Sequence, residues 1–207
     1  MINERLQYIS SGNTSAEQYE NIENALKNGT SWIQIRFKKT DDATFLNLAE
    51  DVKKLKKTYC FKLIINDKVH IAQKMDADGV HLGRGDMPIS EARILLGKNK
   101  IIGGTANTLH EVVQHINNGC NYIGLGPLRF TLSKEHISPT LGYEGYKNIC
   151  QQIKRQSNIP IYAIGGIVEN DIPKLIEAGV YGVALSKHIE ENFKHKNHIN
   201  NLKKHFK

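Results

Sequence analysis

The sequence predicts an α/β protein, a single (β/α)8 TIM barrel that occupies residues 1–207. Three observations support this prediction: short apolar runs recur along the whole chain, segments with helical periodicity separate them, and glycines mark many boundaries. The eight runs that we interpret as strands are Leu6–Ser10, Trp32–Phe37, Leu63–Asn66, Gly79–Leu82, Ile101–Gly104, Tyr122–Gly126, Ile161–Ile164 and Gly182–Leu185. This alternation favours a closed barrel. An open doubly wound sheet is the alternative, because periodicity does not report closure.

The segments between these strands carry helix signals. Apolar side chains recur on one face of Glu17–Asn28 and of Phe45–Lys57, which predicts amphipathic helices. Two pairs have the spacing of a capping box: Thr14 with Glu17, and Thr108 with Glu111. The glycines that follow helical segments are Gly29, Gly97, Gly119 and Gly179. Helix, glycine and strand in this repeated order predict βαβ units and a parallel sheet.

Composition narrows the class of protein. Hydrophobic residues make up 40% and charged residues 24% of the chain, which predicts a folded core. No apolar run approaches the roughly 20 residues that span a bilayer, and the mixed charge of the first five residues argues against export. The three cysteines are Cys60, Cys120 and Cys150. Their wide spacing predicts reduced thiols and a cytoplasmic location.

The net charge of +7 is concentrated in two lysine-rich stretches, Lys53 to Lys62 and Lys187 to Lys207. Such runs are usually solvated surfaces, and attraction of anionic substrates is a second interpretation. Nucleic-acid binding ranks third, because no aromatic residues alternate with the basic ones and no nucleic-acid motif is present. We expect the basic stretch from about residue 188 to form a helix or tail.

Polar residues and glycines follow nearly every predicted strand, at the end of a (β/α)8 barrel where active sites lie. In chain order they are Gln34, Arg36 and Lys38; Asn66 and Asp67; His81, Gly83 and Asp86; Gly103, Gly104 and Thr105; Gly124, Gly126 and a loop with Arg129, Thr131, Ser133 and Lys134; Gly165 and Gly166; and Ser186 and Lys187.

Several of these residues also have a purely structural interpretation. Gln34 and Arg36 share the same parity along their strand, so both are candidates for the barrel mouth, where Arg36 meets either a ligand or a structural partner. Asp67 stands where aspartate also caps helices, and Asp86 precedes a proline in a turn-like segment. His81 fits a packed strand histidine as well as a catalytic one.

The set as a whole favours a polyphosphate site. Arg36, Lys38 and Lys134 are cationic, and Asp67 and Asp86 are acidic. Carboxylate oxygens suit Mg²⁺, which bridges phosphate oxygens. The glycine pair after the seventh strand matches the usual phosphate cradle of this fold. We therefore expect two small phosphorylated substrates, or two anionic ends of one.

Seven motifs follow one another between about Trp32 and Ser186. They are Gln34-Ile-Arg36-Phe-Lys38, Ile65-Asn66-Asp67, Ala77-Asp-Gly-Val-His-Leu-Gly83, Gly85-Asp86-Met-Pro88, Ile102-Gly-Gly-Thr105, Tyr122-Ile-Gly-Leu-Gly-Pro127 and Ala163-Ile-Gly-Gly-Ile167. In this order they resemble the thiamine phosphate synthase family. The glycine motifs occur in many phosphate-binding barrels, whereas Asn66-Asp67 together with Asp86 is specific.

The resemblance implies a transferase of thiamine biosynthesis. It would join 4-amino-2-methyl-5-hydroxymethylpyrimidine diphosphate to a hydroxyethylthiazole phosphate, in its simple or carboxylated form, and release diphosphate. The implied Mg²⁺ ligands are Asp67 and Asp86, and the implied diphosphate ligands are Arg36, Lys38, Asn66 and Lys134, the three cations among them being catalytic. The remaining implied contacts are Gln34 and Thr105 to the pyrimidine, Thr131 and Ser133 to the thiazole, and Gly166, Ser186 and Lys187 to its phosphate.

The chain departs from the family pattern at several positions. Phe37 stands where an acidic residue is usual, and Asn107 where a histidine is usual. Arg129-Phe130 and Glu135-His136 replace the commoner tyrosine-proline and lysine-aspartate pairs, and Ser186-Lys187 shifts the usual serine by one.

Three other functions fit part of the pattern. A thiazole tautomerase-like relative shares the barrel but typically lacks the carboxylates at Asp67 and Asp86. Another phosphate-binding barrel enzyme explains Gly165-Gly166 but not the cations of strand 2. A non-enzymatic polyanion-binding module explains only the net charge. We expect no nucleic-acid or membrane partner, and a homo-oligomer is compatible with the sequence.

Overall fold

The computed structural model describes residues 2–130 and 139–207, in which strands and helices alternate. The strands are β1 (Leu6–Ile9), β2 (Trp32–Ile35), β3 (Lys62–Asn66), β4 (Gly79–Leu82), β5 (Ile101–Ala106), β6 (Tyr122–Leu125), β7 (Ile161–Ile164) and β8 (Gly182–Leu185). The helices are α1 (Ser15–Lys27), α2 (Asp42–Lys54), α3 (Val69–Lys74), α4 (Ile89–Leu96), α5 (Leu109–Asn117), α6 (Gly142–Lys154), α7 (Ile172–Glu177), α8 (Lys187–Glu190) and α9 (His198–Lys204). Two 3-10 turns span Leu55–Lys57 and Glu169–Asp171.

The sheet is a closed parallel barrel in which each strand pairs with its neighbour in sequence and β8 pairs with β1. In the closing pair Leu6 lies opposite Val183, and Tyr8 lies opposite Leu185. The predicted (β/α)8 barrel is confirmed, and the open-sheet alternative is wrong. Because all the strands run in the same direction, their carboxyl ends form one rim on which the loops converge.

Aromatic side chains from strands that are not all neighbours fill part of the barrel interior. Trp32 packs edge to face on Tyr122 and Tyr162, with ring centroids 5.0 and 4.9 Å apart. Glycines on adjacent strands leave room for these rings. A Cβ atom at Gly103 would lie 2.1 Å from the Tyr122 ring, and one at Gly182 would lie 2.6 Å from the Tyr162 ring. These glycines are therefore required by the packing.

The helix ends agree with most of the predicted caps. Thr108 and Glu111 form a complete capping box. In the first pair, the Thr14 hydroxyl accepts from the Glu17 N–H, but the Glu17 carboxylate accepts from the Asn13 N–H at 2.6 Å. That pair is therefore only half of the predicted box. Among the described residues, no helix is both long enough and apolar enough to cross a membrane.

The basic C-terminal stretch is folded against the barrel. It contains α8 and α9, and the α9 side chains Ile199 and Leu202 are buried in the main core. The Lys203 ammonium donates to the Gly29 carbonyl at 2.8 Å. Apolar burial therefore holds α9 in place, and its lysines lie at the periphery.

Candidate active site

Two carboxylates meet at the rim above β3 and β4, and we call Asp67 and Asp86 the acidic pair. Asp67 directly follows β3 with a left-handed backbone, φ 65°. Its Oδ2 accepts from the Lys38 ammonium at 3.0 Å, and its carboxyl group lies within hydrogen-bonding reach of that of Asp86 when one of the two is protonated. Since α3 begins without a side-chain cap, the helix-capping interpretation of Asp67 is wrong.

The electrostatics of the acidic pair are unbalanced. Burial and the neighbouring Asp86 carboxylate raise the pKa of Asp67 to about 6. Burial also acts on Asp86, but hydrogen bonds from Asp67 and from the Gly83 N–H, at 2.5 Å, keep the pKa of Asp86 below its usual value. Two like charges in contact favour retention of a proton or binding of a cation. Lys38 neutralises only one of the two charges.

A cavity of about 220 Å³ opens where the loops after β7 and β8 meet the ends of β1 and β2. We call it the glycine cavity. Its polar lining includes Ser10, Ser11, Arg36, Gly165, Gly166, Ser186 and Lys187. Gly165 and Gly166 have φ values of 86° and 69°, in the region where glycine is favoured. Their backbone can approach an anion without a side chain between.

The predicted cations are divided between these two places. Arg36 borders the glycine cavity, and its N–H donates to the Ser10 hydroxyl at 3.0 Å. Lys38, two residues later, contacts the acidic pair. Thus Arg36 lines the glycine cavity, whereas Lys38 contacts the acidic pair. Residues 131–138 lie outside the described part of the chain, and with them the predicted positions Thr131, Ser133 and Lys134.

A third feature is a hydrogen-bonded chain of buried side chains through the barrel. Gln34 donates to Gln7 at 3.0 Å, and Gln7 donates to the Tyr122 hydroxyl at 3.3 Å. The His81 ring bonds that hydroxyl through Nδ1 and the Thr105 hydroxyl through Nε2, both at 2.9 Å. The Tyr122 hydroxyl thus joins Gln7 to His81, and the His81 ring joins Tyr122 to Thr105.

This chain connects Gln34 and Thr105, the expected pyrimidine contacts, with His81, whose role the sequence left open. Gln34 is buried, with 1% of its surface exposed, and His81 is almost as buried. His81 therefore orients Thr105, which is only partly buried. Gln7 and Tyr122 were not predicted site residues. The parity of Gln7 and Gln34 within paired apolar strands is the signal that could have identified the contact.

The loop after β7 is fastened by an ion pair that the sequence did not predict. Arg129 donates to both Asp171 oxygens, at 2.6 and 2.7 Å, and to the Gly166 carbonyl at 2.5 Å. The Tyr143 hydroxyl and the Val168 N–H also donate to Asp171. Burial alone would raise the pKa of Asp171, but the Arg129 guanidinium and these donors lower it to about 2.

Two departures from the family pattern have structural explanations. Phe37 is 6% exposed and belongs to the main core, so this position contributes packing instead of a charge. Asn107 is buried, accepts from the Arg84 guanidinium at 2.9 Å and donates to the Gly126 carbonyl. Arg84 also pairs with Glu111 at 2.8 Å. Asn107 therefore joins the loops after β4, β5 and β6.

The remaining predicted residues also lie at strand ends. Asn66 is the last residue of β3 and is 6% exposed, opposite His81 in the strand register. Ser186 and Lys187 follow β8 and line the glycine cavity. The described residues thus contain an acidic pair with one lysine, and a separate cavity with glycines, an arginine and a lysine. Such groups at the carboxyl ends of barrel strands are typical of (β/α)8-barrel enzymes.

A family model described as thiamine monophosphate synthase matches residues 6–189, and the chain belongs to this family. Curated relatives are named thiamine-phosphate synthase. The relative from Flavobacterium johnsoniae is 52% identical over 91% of this chain and 89% of its own length. The relative from Flavobacterium psychrophilum is 55% identical over 88% and 89%. The relative from Bacteroides thetaiotaomicron is 46% identical over 87% of each chain.

A solved structure agrees with these relatives. Thiamine phosphate pyrophosphorylase from Pyrococcus furiosus superposes with a TM-score of 0.81 at 28% identity, over 98% of this chain and 95% of that one. The prediction of a thiamine-phosphate synthase, a transferase with a (β/α)8 barrel, is confirmed.

Proposed function

We propose that this transferase joins 4-amino-2-methyl-5-hydroxymethylpyrimidine diphosphate to hydroxyethylthiazole phosphate, forming thiamine phosphate and diphosphate. The observation that carries the proposal is the placement of the Lys38 and acidic-pair cluster on the same rim as the glycine cavity. The acidic pair with Lys38 would receive a metal-bound diphosphate, and the glycine cavity would receive a monophosphate. The proposal includes one working domain over residues 1–207 and a cytoplasmic location, both expected from the sequence.

The acidic pair fits Mg²⁺. Two carboxylates in contact, with one lysine of the described residues paired to Asp67, leave negative charge that a hard divalent cation would neutralise. Asp67 and Asp86 would hold the ion through carboxylate oxygens. When bound, Mg²⁺ would supply positive charge to the oxygens of the departing diphosphate.

Cationic and amide side chains would hold the diphosphate end. Lys38, already at the acidic pair, is 44% exposed at its side chain and free to turn toward a ligand. Asn66 lies next to Asp67 and offers an amide. Arg36 would contact the substrate from the side of the glycine cavity. Lys134 would add a further cation, as the family resemblance implies.

The pyrimidine and the thiazole phosphate would occupy neighbouring places. Thr105, held by His81, would present its hydroxyl to the pyrimidine. Gln34 would support the pyrimidine site from inside the barrel, through the buried hydrogen-bonded side chains. The backbone of Gly166, with Ser186 and Lys187, would bind the thiazole phosphate in the glycine cavity. In the family pattern, Thr131 and Ser133 would contact the thiazole ring.

The arrangement suits a reaction in which charge separates before the new bond forms. The bond between the pyrimidinylmethyl carbon and the diphosphate oxygen would break, with its electron pair leaving on diphosphate. The thiazole nitrogen would then form the C–N bond. Such a step needs stabilisation of the leaving-group charge, which Arg36 and Lys38 would supply, and little general base catalysis. Binding both substrates on one rim would supply their orientation.

The test is diphosphate release with purified protein, both substrates and Mg²⁺. We expect release that requires both substrates and the metal, with thiamine phosphate formed in equal amount. Release that continues unchanged in excess EDTA would contradict the metal assignment. Conversion of a thiazole phosphate carboxylate without any diphosphate release would instead support the tautomerase-like alternative.

A further inference from the structure

Three side chains of types that bind transition metals meet at the C-terminal side of the barrel. Glu169 begins the 3-10 turn after β7, His188 lies in α8, and His198 begins α9. One potential ligand atom from each residue lies within 4.8 Å of the other two. We propose that Glu169, His188 and His198 form a binding site for Zn²⁺, separate from the acidic pair and independent of the proposed reaction.

His198 provides an independent observation that points to a ligand. The residue is 8% exposed, and its Nε2 has no hydrogen-bond partner among the described residues. A buried imidazole nitrogen without a partner is costly. Its ring packs against His188 with centroids 5.1 Å apart, and its Nδ1 faces a Glu169 oxygen at 3.8 Å. His188 Nε2 accepts from the Glu169 N–H at 3.3 Å, a contact that a metal bound to this nitrogen would replace. Rotation of the His198 ring that turns Nε2 toward the other two side chains would give this nitrogen a cation as its partner.

The ligand set suits Zn²⁺ better than Mg²⁺. Imidazole nitrogens prefer borderline cations, and two histidines with one glutamate are a recurrent zinc set with Zn–N distances of about 2.0–2.1 Å. In a tetrahedral site, ligand atoms are then about 3.3 Å apart. Side-chain rotations that close the 4.8 Å separation by about 1.5 Å would form the site.

His205 offers a fourth ligand. Its Nε2 lies 3.3 Å from the second Glu169 oxygen, and its side chain is 31% exposed. Glu169 thus already contacts both His198 and His205, which lie at the two ends of α9. Water would otherwise complete the coordination.

The protonation state of His198 suits metal binding. Burial and the neighbouring His188 lower the pKa of His198, which keeps the imidazole in its neutral, ligating form at neutral pH.

The site would connect three segments of the chain. Glu169 belongs to the loop after β7, His188 borders the glycine cavity after β8, and His198 belongs to the terminal helix. A shared metal would cross-link both cavity loops to α9. Zn²⁺ would then stabilise the wall of the cavity without touching the acidic pair.

The test uses full-length protein without a histidine tag, stripped of metal with a chelator. Zn²⁺ is titrated by calorimetry, and Co²⁺ by the visible absorption of a tetrahedral complex. We expect one site that Mg²⁺ in excess does not displace. His188→Ala and Glu169→Gln should each weaken binding at least about 10-fold, since each removes a direct ligand.

Two controls separate this site from other groups. His70→Ala removes a histidine that also contacts a carboxylate, Asp42 at 2.6 Å, and should leave Zn²⁺ affinity unchanged. Asp67→Asn should also leave it unchanged. Binding lost in Asp67→Asn, or unaffected by His188→Ala and Glu169→Gln, would overturn the proposal, as would no binding beyond that of exposed histidines.

Thermal melting gives a second readout. At 100 times the dissociation constant, Zn²⁺ should raise the melting temperature of the parent by about 5–10 °C. Glu169→Gln should lose at least about half of this increase. It should melt near the parent in EDTA, because the Glu169 side chain is one-third exposed. An equal increase in both proteins would contradict the site. Glu169→Gln therefore tests the Zn²⁺ site even if substitutions of the buried His198 fail to fold.

Discussion

The barrel rim holds carboxylates in two opposite electrostatic situations. Asp171 has one formal charge and receives two hydrogen bonds from Arg129, one from Tyr143 and one from a backbone N–H. Asp67 has a like-charged carboxyl group as its neighbour and, within residues 2–130 and 139–207, one lysine for both. The pKa of Asp171 is accordingly lowered to about 2, while that of Asp67 is raised to about 6.

The difference distinguishes a residue that supports the site from one that would perform its chemistry. A carboxylate whose charge and lone pairs are matched stabilises the folded protein and gains little from a ligand. A carboxylate pair with unmatched charge is a poor contributor to stability and a good ligand for a cation. Asp171 therefore holds the loop around Gly166, whereas the acidic pair would bind the metal.

The largest effect is expected at the acidic pair. Asp67→Asn keeps the size of the side chain and removes a charge that would attract Mg²⁺, so single-turnover diphosphate release should fall about 100-fold or more. Melting should stay at or above that of the parent, because repulsion with Asp86 is relieved. The matched control is Asp76→Asn, which also has a left-handed backbone and a lysine partner, Lys100. Parent-like turnover in Asp67→Asn would make Asp67 a bystander.

A smaller effect, on stability, is expected at the ion pair. Arg129→Ala leaves the buried Asp171 carboxylate without its cation and should lower the free energy of unfolding by about 1–3 kcal/mol in urea titrations. Lys54→Ala breaks an exposed pair with Asp51 and should leave the free energy of unfolding nearly unchanged. Equal effects of the two substitutions would remove the distinction between the two regions.

The pH dependence of stability tests directly whether the Asp171 carboxylate stabilises the folded protein. The pKa of Asp171 is lower in the folded protein than its ordinary value, so its contribution is present above pH 4 and is lost as the pH falls toward 2. Its size is about 2 kcal/mol. Urea titrations in EDTA should show that the parent loses this much more stability than Asp171→Asn between pH 4 and 2. Parallel pH profiles would show that Asp171 is not stabilised as described.

The smallest effect is expected from Tyr143→Phe. This substitution removes one of several donors to Asp171 and keeps the ring, so it should cost about 0.5–1.5 kcal/mol of stability. Tyr143 lies away from the acidic pair, and diphosphate release should stay near the parental rate at saturating substrate. A loss as large as that of Arg129→Ala would assign the main support of the loop to Tyr143.

Local patterns predicted most of the elements because they depend on neighbours in sequence. The eight strands begin and end within two residues of their predicted bounds, and the Thr108–Glu111 capping box forms as expected. Strand-end residues such as Asp67 and Ser186 lie on the rim because parallel strands bring their carboxyl ends together. The family followed from the order of the same motifs.

Contacts between residues far apart in sequence could not be predicted from local patterns. The Arg129–Asp171 pair joins residues 42 apart in sequence, and the chain through Gln7 and Tyr122 joins residues 115 apart. The sequence also did not predict that Arg36 and Lys38 would contact different parts of the mouth. Both residues lie beyond the end of β2, where side chains no longer alternate between the two faces of a strand.

By itself the sequence determined the fold class, the family and the side chains available at the mouth, because periodicity and motif order are local properties of the chain. Only the tertiary structure decided which charges are matched. Whether a carboxylate is stabilised or left repelled depends on the groups that folding brings within about 3 Å of it, and most of these come from other loops and helices.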